Sequence, residues 1–433
     1  MWDFSTPPEF EAKLEWMREF VAREVYPLEA VEGVTEAEFD RLLAPLREQV
    51  KEQGLWAAHL PPELGGQGFG ALELGLMNEI SGASIFGPMV FGSQAPDAGN
   101  AELIAAAGSD EQKERWLEPL LDGRLKSAFS MTEPHTAGSD PTLLATRAER
   151  VDGGWRIEGR KWFTSNGSAA DFLVVMVVTD PEAPPRSRAS MMLVPTDAEG
   201  LRILRDVPTM EDPVGEAGRF RAGGFGHAEI LYDGVFVPDE DVLGGVGEGF
   251  LLAQRRLGPG RIQHCMRWLG QSRRAFEMMC ERAVSRRAFG STLGEKGVVR
   301  EWVADSAAEM QAARLMTLHA AWRIDREGAK AARQEIGMIK YFGARVLFNV
   351  IDRAIQVHGG LGYSTDLPLE SMYRNARAAR IYDGADEVHR DNVARRILAA
   401  YEPHEVPSEH VPARRAAAAE KFAELIDVAS LDL

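Results

Sequence analysis

The hydrophobic period of this chain changes twice, and that double change constrains its fold more than any single motif. Apolar residues first recur at helical spacing, which predicts helices over 10–25, 36–53, 71–84 and 97–107, broken by the loop Gly65-Gly66-Gln67-Gly68. From about Arg124 to Glu240 the period becomes that of strands. Val151-Asp152-Gly153-Gly154-Trp155 reads as a hairpin turn, and 172–178 and 191–194 read as buried strands. A further strand over 228–232 is expected to end at Asp233-Gly234, before Val235-Phe236-Val237-Pro238. The Gly- and Asp-rich segment 211–224 reads as a loop. After Gly249 long helices return, with Val299, Val303, Met310, Ala313, Thr317 and Ala320 on one apolar stripe. The order predicts an α+β chain in which an all-α region wraps a small β domain. The expected divisions are an N-terminal helical domain (1–123), a middle β domain (124–240), a C-terminal helical bundle (241–402) and a tail (403–433) carrying one alanine-rich helix over 414–425.

Composition removes several function classes. With 433 residues, 45% of them hydrophobic, the chain can bury a large core. A net charge of −17 argues against nucleic acid as a partner. The longest apolar stretch, 172–178, is strand-sized, so no membrane insertion is expected. The start, Met1 to Phe4, leads into a capped helix at Ser5, Thr6, Pro7 and Pro8 without a signal or transit pattern, so a cytoplasmic chain is expected. Cys265 and Cys280 fall on one predicted helix, roughly 22 Å apart, which excludes a disulfide between them. The nine histidines show no metal-ligand spacing, so no metal is expected. Gly245, Gly247 and Gly249 do not form GxGxxG inside a βαβ unit, which excludes a Rossmann dinucleotide site.

Five strings carry the functional signal. They are Phe129-Ser130-Met131-Thr132-Glu133-Pro134 running on to Ser139-Asp140, Lys161-Trp162-Phe163-Thr164, Ser285-Arg286-Arg287-Ala288-Phe289-Gly290, Gln356-Val357-His358-Gly359-Gly360, and Arg380-Ile381-Tyr382-Asp383-Gly384-Ala385-Asp386-Glu387. In order and spacing they resemble the acyl-CoA dehydrogenases over roughly residues 50 to 400. The resemblance implies an N-terminal helical domain, a barrel- or sandwich-like middle β domain, a C-terminal four-helix bundle, and FAD as cofactor. By the same resemblance Phe129, Met131 and Thr132 line the flavin, with Thr132 on its pyrimidine edge. Trp162 packs on the ring, Thr164 lies near N5, and Ser139, Ala385 and Glu387 also bind the cofactor. Arg286 and Phe289 would hold the pyrophosphate and adenine of a neighbouring subunit's FAD, with Gln356, His358, Gly359 and Gly360 beside them. A cofactor site shared across subunits implies a homodimer or homotetramer. Ser139, Arg261 and Gly384 would meet the acyl-CoA substrate.

In most of that family the base is a glutamate, and the position matches Asp383 here. The family's other location for the base falls on Gly260, which has no side chain. Asp383 is therefore the residue that would remove the α proton, while the β hydrogen leaves as hydride to flavin N5. Burial against the flavin and the thioester, with water expelled, is expected to raise its pKa toward that of a useful base. Electrons would pass to an electron-transferring flavoprotein. An aspartate base also marks a branch associated with 4-hydroxy- or 4-phosphoacyl-CoA, and marks the nitroalkane oxidases. These two are the alternative readings, alongside an acyl-CoA oxidase and a cofactor-free partner subunit.

Overall fold

The computed structural model describes residues 3–31, 34–211 and 226–425. The predicted loop over 211–224 lies outside the described residues from 212 onward, as do Met1 and Trp2. The N-terminal helices are α1 (Pro8–Phe20), α2 (Glu36–Glu52), α3 (Ala71–Ser81) and α4 (Asp97–Ala107). The first is shorter than its periodicity suggests, because Val21–Val25 form a π turn and Tyr26–Ala30 a 3-10 turn, with Pro27 inside the latter. Thr35 caps α2 through a reciprocal capping box with Glu38.

Among the described residues, eight strands follow: β1 (Ser127–Ser130), β2 (Arg147–Val151), β3 (Gly154–Ser165), β4 (Phe172–Val178), β5 (Ala189–Pro195), β6 (Leu201–Asp206), β7 (His227–Pro238) and β8 (Val242–Leu243). They form one sheet in the order β6-β7-β3-β2-β4-β5-β8, with β1 added in parallel to β4. The unbroken apolar run of β4 has a direct cause: both of its faces are covered. Leu173, Val175 and Val177 share an interior with Ile157, Met192, Ile230 and Tyr232. Phe172, Val174 and Met176 instead pack toward Leu103, Ile104, Trp116 and Leu117. One expectation needs correcting. Asp233-Gly234 does not end a strand. Ile157 pairs Val235 and Glu158 pairs Asp233, so Gly234, at φ 74°, is the extra residue of a bulge inside β7.

The long helices are α5 (Gly249–Ser285), α6 (Gly297–Glu327) and α7 (Arg333–His358), followed by α8 (Leu369–Ala378) and α9 (Asp386–Leu398). Cys265 and Cys280 both lie on α5 as free thiols. The chain divides into two compact units, Met1–Arg390 and Asp391–Leu433. The second contains α10 (Val411–Lys421), an alanine-rich and mostly exposed helix. Among the described residues no helix is long and apolar enough to cross a membrane.

Candidate active site

Asp383 sits between α8 and α9 with φ at 54°, a conformation that aspartate tolerates better than most residues. Two side chains anchor it by the backbone. Its carbonyl accepts from Arg261 Nε at 3.0 Å and from His389 Nε2 at 3.1 Å. Gly384 follows at φ 100°, and a Cβ there would come within 2.6 Å of the His389 ring. Lys340, wholly buried on α7, donates to the carbonyls of Ala379 at 2.7 Å and Gly384 at 3.3 Å. The turn carrying Asp383 is thus pinned from α5, α7 and α9, the over-determination that a strained backbone requires.

The carboxylate meets α5 as well. His264 Nε2 lies 3.2 Å from Asp383 Oδ2. Burial alone would push the Asp383 carboxyl up, but the His264 hydrogen bond and the Arg261 and Arg256 guanidiniums outweigh it and hold the group well below the usual range. The expected rise belongs to burial against the flavin and thioester; among the protein's own groups the hydrogen bond and the cations prevail. His264 is itself held below its ordinary 6.5 by burial, so at neutral pH it is a neutral ring donating Nε2–H. Tyr382 and Trp268 wall the pair, with the Tyr382 ring 5.2 Å from that of His264 and its hydroxyl accepting from Trp268 Nε1 at 2.8 Å.

A second cluster lies on the sheet. Phe129, Met131, Thr132 and Trp162 are half-buried neighbours, because Trp162 N donates to the Thr132 carbonyl at 2.9 Å. Lys161, fully buried, donates to the Met131 carbonyl and to Glu133, both at 2.9 Å. Glu133 also accepts from the backbone of Ala145 and Thr146 at 2.7 and 2.8 Å. Burial works against both charges. It pulls Lys161 down to about 8, while the cation and the two N–H donors keep Glu133 below its ordinary range, so the pair is ionised at neutral pH. A register shift between Lys161 and Thr164 turns Trp162 and Phe163 outward. Thr164 points into the sheet instead, with its hydroxyl 3.2 Å from Ser130 Oγ. Arg256 joins the two clusters: its guanidinium lies 4.3 Å over the Phe129 ring, and its charge reaches Asp383.

The remaining predicted residues lie elsewhere. Ser139 and Glu387 are exposed, and Ala385 is half-buried. Arg286, Phe289, Gln356, Gly359 and Gly360 are on the outside, with Phe289 98% exposed at φ 51°. His358 is buried, its Nδ1 2.8 Å from the Ala354 carbonyl. Sequence reasoning read His264 and Arg267 as surface or structural residues and assigned no role to Arg256 or Lys340. The available signal was helical spacing, since Arg261, His264, Arg267 and Trp268 recur at intervals that share one face of α5.

The sheet cluster suits a flat, polar-edged aromatic group. The buried Trp162 Nε1 has no hydrogen-bond partner among the described residues, and neither has the Thr132 hydroxyl. Phe129 and Met131, partly buried against the cluster of Leu103, Trp116 and Phe172, are the apolar side chains of the same segment.

Comparison with known proteins gives the family. The acyl-CoA dehydrogenase family models match in succession: the N-terminal domain over residues 7–124, the middle domain over 128–217 and the C-terminal domain over 247–398. FadE2 of Mycobacterium tuberculosis is 44% identical over 362 residues, covering 82% of this chain and 86% of that protein. Acyl-CoA dehydrogenase family member 10 of Mus musculus is 41% identical over 398 residues, covering 89% of this chain. This chain spans only 36% of that longer relative. A solved structure from Mycobacterium abscessus superposes with a TM-score of 0.85 at 40% identity, covering 92% of this chain and 100% of the other.

Proposed function

Because this chain belongs to the acyl-CoA dehydrogenase family, whose members are flavin-dependent oxidoreductases that use FAD, we propose that it carries out α,β-dehydrogenation of an acyl-CoA thioester with Asp383 as the base. The observation that carries this reading is the carboxylate itself. The residue's backbone carbonyl is anchored by Arg261 and His389, and the His264 hydrogen bond with the Arg261 and Arg256 charges keeps the carboxylate ionised. FAD, when bound, supplies the acceptor for the β hydrogen.

Asp383 takes the α proton onto its carboxylate. The thioester carbonyl gains negative charge as that proton leaves, and backbone N–H groups beside the base are suited to meet it. Phe129, Met131 and Trp162 exclude water from the transfer path, and Thr132 offers a donor to the flavin edge. An ionised free-enzyme base needs no titration before it acts. The rate of flavin reduction by low substrate therefore has no acid limb due to Asp383 between about pH 5 and pH 8. Substrate binding displaces water and sets the base against a neutral thioester, which raises its proton affinity at the moment of transfer. Electrons then leave to an external acceptor, an electron-transferring flavoprotein in this reading.

A second substrate reading has its own observation. A small pocket between α3 and α5 is lined by Met17, Leu55, Met77 and Phe91, yet also by His59, Asn78 and Ser93. His59 Nε2 and Ser93 Oγ are buried without partners among the described residues, and the buried Arg267 donates to Asn78 Oδ1 at 2.6 Å. An acyl chain with a 4-hydroxy substituent would satisfy such groups better than an alkyl chain does. Anaerobic bleaching of the flavin by a panel of plain, 4-hydroxy- and 4-phosphoacyl-CoAs ranks the candidates. Bleaching by none of them, with turnover of nitroethane in oxygen, would overturn the whole assignment.

Phe289 bears on assembly. A phenylalanine almost fully in water on a left-handed residue gains by burial against a second copy or its cofactor. Phe289→Ala is expected to lower FAD retention about tenfold and to shift the oligomer toward smaller species. Gel filtration with absorbance at the flavin band reads both, and an unchanged profile refutes the shared site.

A further inference from the structure

We propose that His264 is a positioning residue for the reaction: it clamps Oδ2 of Asp383 and so leaves Oδ1 to receive the α proton. The inference rests on the reading of Asp383 as base. Its geometry is direct. The 3.2 Å contact joins a ring on α5 to a carboxylate on a separate turn, and both side chains are about one-fifth exposed. The ring is itself held, stacked near Trp268 (centroids 6.2 Å apart, planes at 25°) and tilted against Tyr382. A clamp of this kind matters more for aspartate than for a longer acid. With one methylene fewer, the carboxylate has less reach to correct its aim, and a misplacement of about 1 Å can cost about 100-fold.

Other groups face the pair and hold their roles independently. Arg256, Arg261 and Arg267 approach from α5 with the buried Cys265, and Lys340 approaches from α7. Tyr382 and His389 come from the turn itself and the start of α9, and burial holds His389 at about 4. None of the three arginines or Lys340 forms a hydrogen bond to the Asp383 carboxylate among the described residues, so the direct donor is His264. In the neutral ring the nitrogen facing Oδ2 carries the N–H, and the basic lone pair sits on Nδ1, away from that contact.

The test compares His264→Met with His264→Gln in the FAD-loaded enzyme. The two replacements are close in size and differ in the donor. Single-turnover anaerobic bleaching is expected to fall about 100-fold in the Met variant and to recover at least partly in the Gln variant. A readout independent of turnover is the 13C resonance of the Asp383 carboxyl, assigned by its loss in Asp383→Asn. Its titration midpoint should rise by about one pH unit in His264→Met and return toward wild type in His264→Gln. Wild-type rates and midpoints in both variants would overturn the positioning role and leave the base assignment standing. Wild-type bleaching in Asp383→Asn would instead remove the base, and this inference with it.

Discussion

Asp383→Asn is expected to keep the yellow cofactor bound and to abolish its bleaching by acyl-CoA. The amide matches the carboxylate in shape, so the Arg261 and His389 contacts, both made to the backbone carbonyl, are retained. What disappears is the proton acceptor. A positioned general base contributes about 10²- to 10⁴-fold, and a loss of that size is measurable by stopped-flow reduction under argon. Asp383→Glu provides a useful contrast. It restores the family's usual acid but pushes the carboxylate toward His264 and Tyr382, so partial activity is expected. A fully active Asn variant would transfer the chemistry to another residue.

The second large effect is structural. Lys161→Met is expected to destabilise the protein by about 3–5 kcal/mol, because it leaves the Glu133 carboxylate buried without its cation. Both side chains are almost inaccessible to water, and the lysine also holds the Met131 carbonyl. The strand edge carrying Thr132 should loosen together with the stability, so FAD affinity should fall in parallel. Denaturant midpoints and flavin release on dilution measure the two consequences. The sign of the pH effect follows from Glu133. A carboxyl depressed by folding stabilises above its unfolded pKa and loses that contribution as pH falls through the folded value. The gap between wild type and Lys161→Met should therefore narrow below about pH 4. The double variant Lys161→Met with Glu133→Gln should recover much of the loss. Equal midpoints in wild type and Lys161→Met would show that the pair is not a stabilising element.

Much of the architecture was legible in the chain because periodicity is a local property. The apolar run of β4 and the bounds of α4 were readable from pattern alone. The bulge at Gly234 was not, since Asp-Gly signals a turn as readily as it signals a bulge, and only pairing with β3 decides between them. The importance of Asp383 and of the Thr132 and Trp162 strings was visible from their resemblance to a family. The direction of the Asp383 pKa was not, because burial can be anticipated from an apolar setting, whereas the groups that outweigh it, His264, Arg261 and Arg256, lie more than a hundred positions away.

By itself, then, the sequence determined the kinds of elements and their order, and it pointed to Asp383 as the proposed base. It could do so because helical and strand periods, turn residues and side-chain identity are properties of neighbours along the chain. Only the tertiary structure decided that His264 faces that acid, that Arg261 grips its backbone, and that Thr164 turns inward while Trp162 turns out. Those facts depend on where α5 crosses the turn after α8 and on a single register shift in β3, and neither packing geometry nor register is written in any local stretch of residues.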